Sequence, residues 1–247
     1  MAKKAETSRK GREAERRARI EQIRREQVRK ERMRSFAILG ACIVVVVGLL
    51  TAALVPYIKH QRAQSRLEGT PLSQLGVSAS AASCSSVTTK DATGSGQHLT
   101  IGKSIPYTDA PPAFGPHWPN YLQGSEIRTF YSRSDRPELE RLVHSLEHGH
   151  TIIWYDDTIK TGSKSYKAIQ QITDRLGLDS YVFAAPWTSK DESGKSFPSG
   201  KHVAMTHWTG PTKQQGVTQY CGAPSGRVVS DFTKKYPKGN APEPGAA

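Results

Sequence analysis

The sequence predicts an α+β protein: a basic N-terminal helix, one transmembrane helix, and a small extracytoplasmic domain built on a mixed sheet. Three observations carry this. Residues 35–57 hold 23 positions without a charge. Cys84 and Cys221 bracket most of the chain beyond that run. Past residue 135, amphipathic stretches of helical period alternate with short apolar runs of strand length. The expected divisions are a basic cytoplasmic segment at 1–34, the span at 35–57 and a linker at 58–86. The α+β domain then covers 87–237, and a disordered tail 238–247.

The span SFAILGACIVVVVGLLTAALVPY is long enough, at about 1.5 Å per residue, to cross a hydrocarbon layer of roughly 30 Å. A signal peptide shares the plan of a positive region joined to an apolar one, but its apolar core is shorter and its lead seldom as long as this one. Residues 1–34 carry 14 Lys or Arg against 6 Asp or Glu, a net of +8 of the chain's +13. The basic balance is thus mainly a property of the N-terminal segment, which reads as a solvated topology signal able to attract anionic lipid head groups. It outweighs Lys59, Arg62 and Arg66 after the span, so the N-terminus is expected in the cytoplasm and the rest outside, as a single-pass membrane protein. The remaining residues show no basic patch interleaved with aromatics, and no nucleic-acid partner is expected.

An oxidising compartment favours a Cys84–Cys221 disulfide, with Cys42 left inside the span. Closing so long a loop stabilises a fold by about 5 kcal/mol in the chain-entropy model. Before the domain, Ser78–Ser86 is almost wholly Ser and Ala apart from Cys84, a composition that builds no core by itself. Next, Pro106, Pro111, Pro112, Pro116 and Pro119 make an extended, stiff loop. That loop presents His117, and His98 lies just before it.

A helix is predicted from Asp135 as cap, with Pro137 in an early position and Gly149 as its stop. TIIWY at 151–155 reads as a buried strand, 165–176 as a helix, 181–184 and 203–208 as strands, 219–221 as a short strand, and 224–236 as a terminal helix. On a wheel at about 100° per residue, Leu139, Leu142, Val143 and Leu146 share one sector. His144 and His148 lie about 140° and 180° from Leu139, so they either face solvent or bear ligands.

His144, Glu147 and His148 form H-x-x-E-H. Two imidazoles at i and i+4 are neighbours on one side of a helix, which suits a metal, and a third ligand must come from elsewhere. His117 is the first choice and His98 the second, with Glu140 as a carboxylate able to orient the His144 ring. Imidazole-rich sites suit copper or zinc. The same five residues are the inverzincin order, in which Glu147 would act as general base, but those enzymes need a further carboxylate ligand on another helix, for which Asp174 and Asp231 are candidates only in principle. His150, His202 and His207 lack a partner at metal spacing and read as surface or structural residues. Trp118, Trp154, Trp187 and Trp208 read as packing.

PP-x-x-GPHWP at 111–119, LVHSLEHG at 142–149 and the adjoining IIWYD resemble the bacterial family called domain of unknown function 3105, known from membrane-anchored actinobacterial proteins. The family's G-x-H, PP-x-SG-PH and LEHG map onto His98, His117, Glu147 and His148, with His144 also matching; Phe114 stands where the family often has Ser. The resemblance implies no established activity, and it implies His98, His117, His144 and His148 as one set. The leading expectation is a membrane-anchored extracytoplasmic protein that binds a transition metal through those histidines. The alternatives are a metal-dependent hydrolase and a non-enzymatic cell-envelope interaction module.

Overall fold

The computed structural model describes residues 2–211 and 213–245. The chain forms two units, 1–65 and 66–247. The first consists of most of helix α1 (Ala2–Gly69), with Pro56 inside it. Within α1, Arg24–Lys59 is long and apolar enough to cross a membrane, and its apolar side chains are exposed. A span wants this arrangement, because lipid replaces the protein core around it.

The second unit is built on a five-stranded sheet in the order β1-β5-β4-β2-β3, from β1 (Thr88–Asp91), β2 (Thr151–Tyr155), β3 (Val182–Pro186), β4 (Val203–Thr209) and β5 (Gln215–Cys221). Only β2 and β3 pair in parallel, joined through α3 (Lys164–Leu176); the other pairs are antiparallel. This is the expected mixed α+β sheet. Two elements differ from expectation. The last strand is seven residues long, because β4 offers it a full ladder from Val203↔Cys221 to Thr209↔Gln215. The edge strand β1 is exposed throughout and polar, so no apolar pattern announces it.

Side chains alternate across β2. Ile153 and Tyr155 face α3 and α4 (Gly226–Lys235), and Ile152 and Trp154 face α2 (Leu139–Glu147) and the proline-rich chain. Helix α2 begins at Leu139, four residues after the expected cap. Asp135 is occupied otherwise: its carboxylate accepts from the Ser132 amide at 2.6 Å and from Arg128, closing a local turn.

Both flanks of the domain are more ordered than composition suggests. The Ser/Ala stretch is no free linker, for the Ala82 carbonyl accepts from the Gly222 amide at 2.8 Å and Ala82 is fully buried. Its small side chains allow that approach to the end of β5, where Cys84 and Cys221 are joined in a disulfide. Nor is the tail disordered within the described residues. Ala241 is fully buried, the Asn240 carbonyl accepts from the Gly210 amide at 2.5 Å, and the Glu243 amide donates to the Glu147 carbonyl at 3.0 Å. Gly149 permits this packing: its φ is +96°, and a Cβ there would meet the Lys238 carbonyl oxygen at 2.5 Å.

Candidate metal centre

The proline-rich chain and α2 meet. The segment carrying His98 runs beside the one carrying His117, with the Leu99 amide donating to the His117 carbonyl (2.8 Å) and the His117 amide to the Gln97 carbonyl (3.0 Å). This two-strand clip holds His98 and His117 side by side, their rings 4.9 Å apart. Opposite them, the polar face of α2 presents His144 and Glu147. His98, His117, His144 and Glu147 each offer one ligand atom, and these atoms lie within 4.8 Å of one another.

The polar face of α2 is therefore covered, not solvent-facing. His144 and His148 are only 2% and 4% exposed, and Glu147 5%. A wheel describes one helix and is blind to a loop folding over its far side. The loop carries no regular element, so its lid-like course had no periodic signal in the sequence.

Ring orientation follows from backbone carbonyls. His117 Nδ1 donates to the Gly115 carbonyl at 2.9 Å, His144 Nδ1 to the Trp118 carbonyl at 2.6 Å, and His148 Nδ1 to the Glu243 carbonyl at 3.1 Å. A carbonyl can only accept, so in each neutral ring the proton sits on Nδ1 and Nε2 is a bare lone pair. The orienting group for His144 is thus a main-chain oxygen of the loop, not Glu140. Tyr121 packs edge-on against the pair, 5.2 Å from His144 and 4.7 Å from His148 by ring centroids.

These lone pairs point at one another. His144 Nε2 and His148 Nε2 are 2.9 Å apart, and His117 Nε2 lies 3.0 Å from Glu147 Oε2. His117 Nε2 is buried and makes no hydrogen bond among the described residues. Burial, aided by the His117 and His148 rings, lowers the His144 pKa to about 3. The His144 ring is neutral at pH 7, which leaves its Nε2 lone pair free to bind a cation.

Gly96 lies against the carboxylate. A Cβ there would stand 2.3 Å from Glu147 Oε1, so the glycine leaves the space the carboxylate occupies. Neither Gly96 nor the tail carbonyl of Glu243 was singled out from the sequence. Gly96 opens a G-x-H pattern and was legible in principle; a main-chain acceptor some 95 residues from His148 leaves no signal.

The other histidines stand apart. His150 and His207 are buried, with Nδ1 of His150 on the Ser145 carbonyl (3.1 Å) and Nδ1 of His207 on the His150 carbonyl (3.2 Å). His202 pairs with Asp156 at 2.9 Å. The later acids are engaged elsewhere, Asp174 by Thr129 and Asp231 by Arg227. Ser145 donates to the Arg141 carbonyl within its helix.

The family described as protein of unknown function (DUF3105) matches residues 98–247, a span that contains every donor of the cluster and the C-terminal strap at 237–245 that carries Glu243. No curated protein and no solved structure matches the chain. The match covers more than half of the chain, which belongs to that family.

Proposed function

We propose that this member of the DUF3105 family is a membrane-anchored protein whose extracytoplasmic domain binds a transition metal. His117, His144 and Glu147 are its buried ligands, with His98 and His148 completing the donor set. The observation that carries the reading is the convergence of bare lone pairs. Three imidazoles, each with Nδ1 on a main-chain carbonyl, are fixed so that His117 turns Nε2 toward the Glu147 carboxylate while those of His144 and His148 face each other. With its proton held on Nδ1, each neutral ring offers Nε2 to a cation, and the carboxylate adds the charge that a cation needs.

Two of the donor spacings are those of neighbouring ligands on one ion. Donors bonded at about 2.05 Å stand about 2.9 Å apart at a right angle and about 3.3 Å apart at the tetrahedral angle. The contacts of 2.9 Å between His144 and His148 and 3.0 Å between His117 and Glu147 fall in that range. A set of imidazoles with one carboxylate and no thiolate suits Zn²⁺ or Cu²⁺ better than hard cations or Cu⁺. Glu147 stands at ligand distance with its second oxygen against Gly96, which favours binding over a general-base role. The excess of basic residues before the span and the Cys84–Cys221 disulfide both support a domain outside the cytoplasm.

The test is elemental analysis of the full-length chain purified in mild detergent, beside His117→Ala and His144→Ala. Close to one equivalent of metal in the wild type and loss in both variants is the expected result. A wild-type chain that neither retains nor takes up Zn²⁺ or Cu²⁺ sinks the proposal.

A further inference from the structure

The donors differ in how they are held. His117 is fully buried and His144 nearly so, and the rings of His117, His144 and His148 are each fixed by an Nδ1–H bond to a main-chain carbonyl. The His98 side chain is 51% exposed, and among the described residues no hydrogen bond holds its ring. Its Nε2 is 4.0 Å from Glu147 Oε2, where that of His117 is 3.0 Å. Its backbone is not loose, because the clip to His117 secures Gln97 and Leu99 on either side. Only rotation of the side chain can move the imidazole, and the way out is solvent.

On the metal reading above, we infer that His98 is the exchangeable ligand of the centre: its ring swings out and opens one coordination position to a small exogenous lone-pair donor. The buried donors keep the ion meanwhile. A site that keeps its buried protein ligands and opens one position is the arrangement in which a metal binds or exchanges an outside molecule, whereas a filled and closed site only holds structure. Fixing a ring by an outer hydrogen bond raises its hold on a metal, and a ligand without that support is the first to leave. Ions also enter and leave by this side, since the other donors are screened by α2, the proline-rich chain and the C-terminal strap.

The experiment uses the full-length chain in detergent, loaded with Co²⁺ as a spectroscopic probe. The wild type is compared with His98→Ala, His98→Gln and His117→Ala, and metal content is read first. Both His98 variants are expected to retain close to one equivalent with a changed visible spectrum. They release it to a chelator about tenfold faster than the wild type and respond to added imidazole at about tenfold lower concentration. His117→Ala is expected to lose the ion. Identical spectra and release rates in wild type and both His98 variants would show that His98 is no ligand and overturn the inference while leaving the metal reading intact. Loss of metal in the His98 variants as complete as in His117→Ala would make His98 an integral ligand and overturn it equally. A wild type that takes up no Co²⁺, Zn²⁺ or Cu²⁺ overturns the underlying reading and this inference with it.

Discussion

The two faces of the sheet are covered by different means. One face sets Ile153, Tyr155, Val182, Met205 and Val217 against Tyr166, Ile169 and Ile172 of α3 and Val229 and Phe232 of α4. It is an apolar layer under two regular helices. The other face sets Ile152, Trp154, Phe183 and Trp208 against a single nine-residue helix, α2, and finishes the cover with irregular chain that contributes Ile105, Tyr107 and Leu122. Irregular chain brings its own main-chain carbonyls into the interior. On this face those carbonyls are put to use as acceptors for imidazole Nδ1 groups, and the lone pairs left over make the site. The helical face is dominated by apolar side-chain packing.

If that division of labour is right, damage to the two faces should separate. The largest effect is expected from His144→Ala or His117→Ala, each lowering metal affinity by more than about 100-fold, beyond what loss of an outer-shell contact costs. Their metal-free forms should melt within a few degrees of the metal-free wild type if the rings are held there for the ion and not for the fold. Metal titration paired with thermal melts in chelator reads both quantities. A metal-free variant that is much less stable would mean the cluster supports the fold without an ion.

On the helical face, Ile169→Ala should cost about 3 kcal/mol of unfolding free energy. Ile169 is fully buried beside a void of only about 10 Å³, so the truncation leaves a new cavity in a closely packed layer. Denaturant melts should record that loss while metal stoichiometry stays unchanged; a parallel loss of metal would couple the faces.

Acid offers a third break. Burial lowers the pKa of His150 and of His207 from 6.5 to about 4. Above pH 6.5 both are neutral folded and unfolded and cost nothing. As pH falls from 6.5 toward 4 the unfolded chain takes up protons that the folded one refuses, so stability falls, by on the order of 3 kcal/mol per histidine at the end of that window. Melts in chelator between pH 7 and 4.5 should show the fall, and His207→Gln should flatten its slope.

The smallest effect sharpens the site itself. Gly96→Ala puts a methyl where Glu147 Oε1 lies, and the flexible carboxylate can give way, so the fold should survive while metal affinity drops about tenfold. Unchanged affinity would argue that the carboxylate is no ligand.

Legibility in the sequence divides along the same line. The helical face was readable because burial demands apolar residues in regular elements: TIIWY and the 203–208 run are mostly apolar, buried strands, and 165–176 has helical spacing. On the other face only α2 had a period, and that period concealed as much as it told. It correctly put Leu139, Leu142, Val143 and Leu146 in the core and took His144 and His148 off it. It offered no account of the side that a loop would cover. The tail and the Ser/Ala stretch were underestimated for a related reason: Ala82 and Ala241 are buried by close backbone approach, for which composition carries no marker.

What the sequence determined alone is what depends on local chemistry: an uncharged run long enough for a bilayer, cysteines on one side of it, helical and strand periods, and the i, i+4 imidazoles. What only the tertiary structure decided is which groups face each other across long stretches of chain. His117 meets Glu147, Gly96 makes room for that carboxylate, and Glu243 fixes His148. These contacts join residues through space, and a metal centre is a property of distances between donor atoms, which only the folded chain specifies.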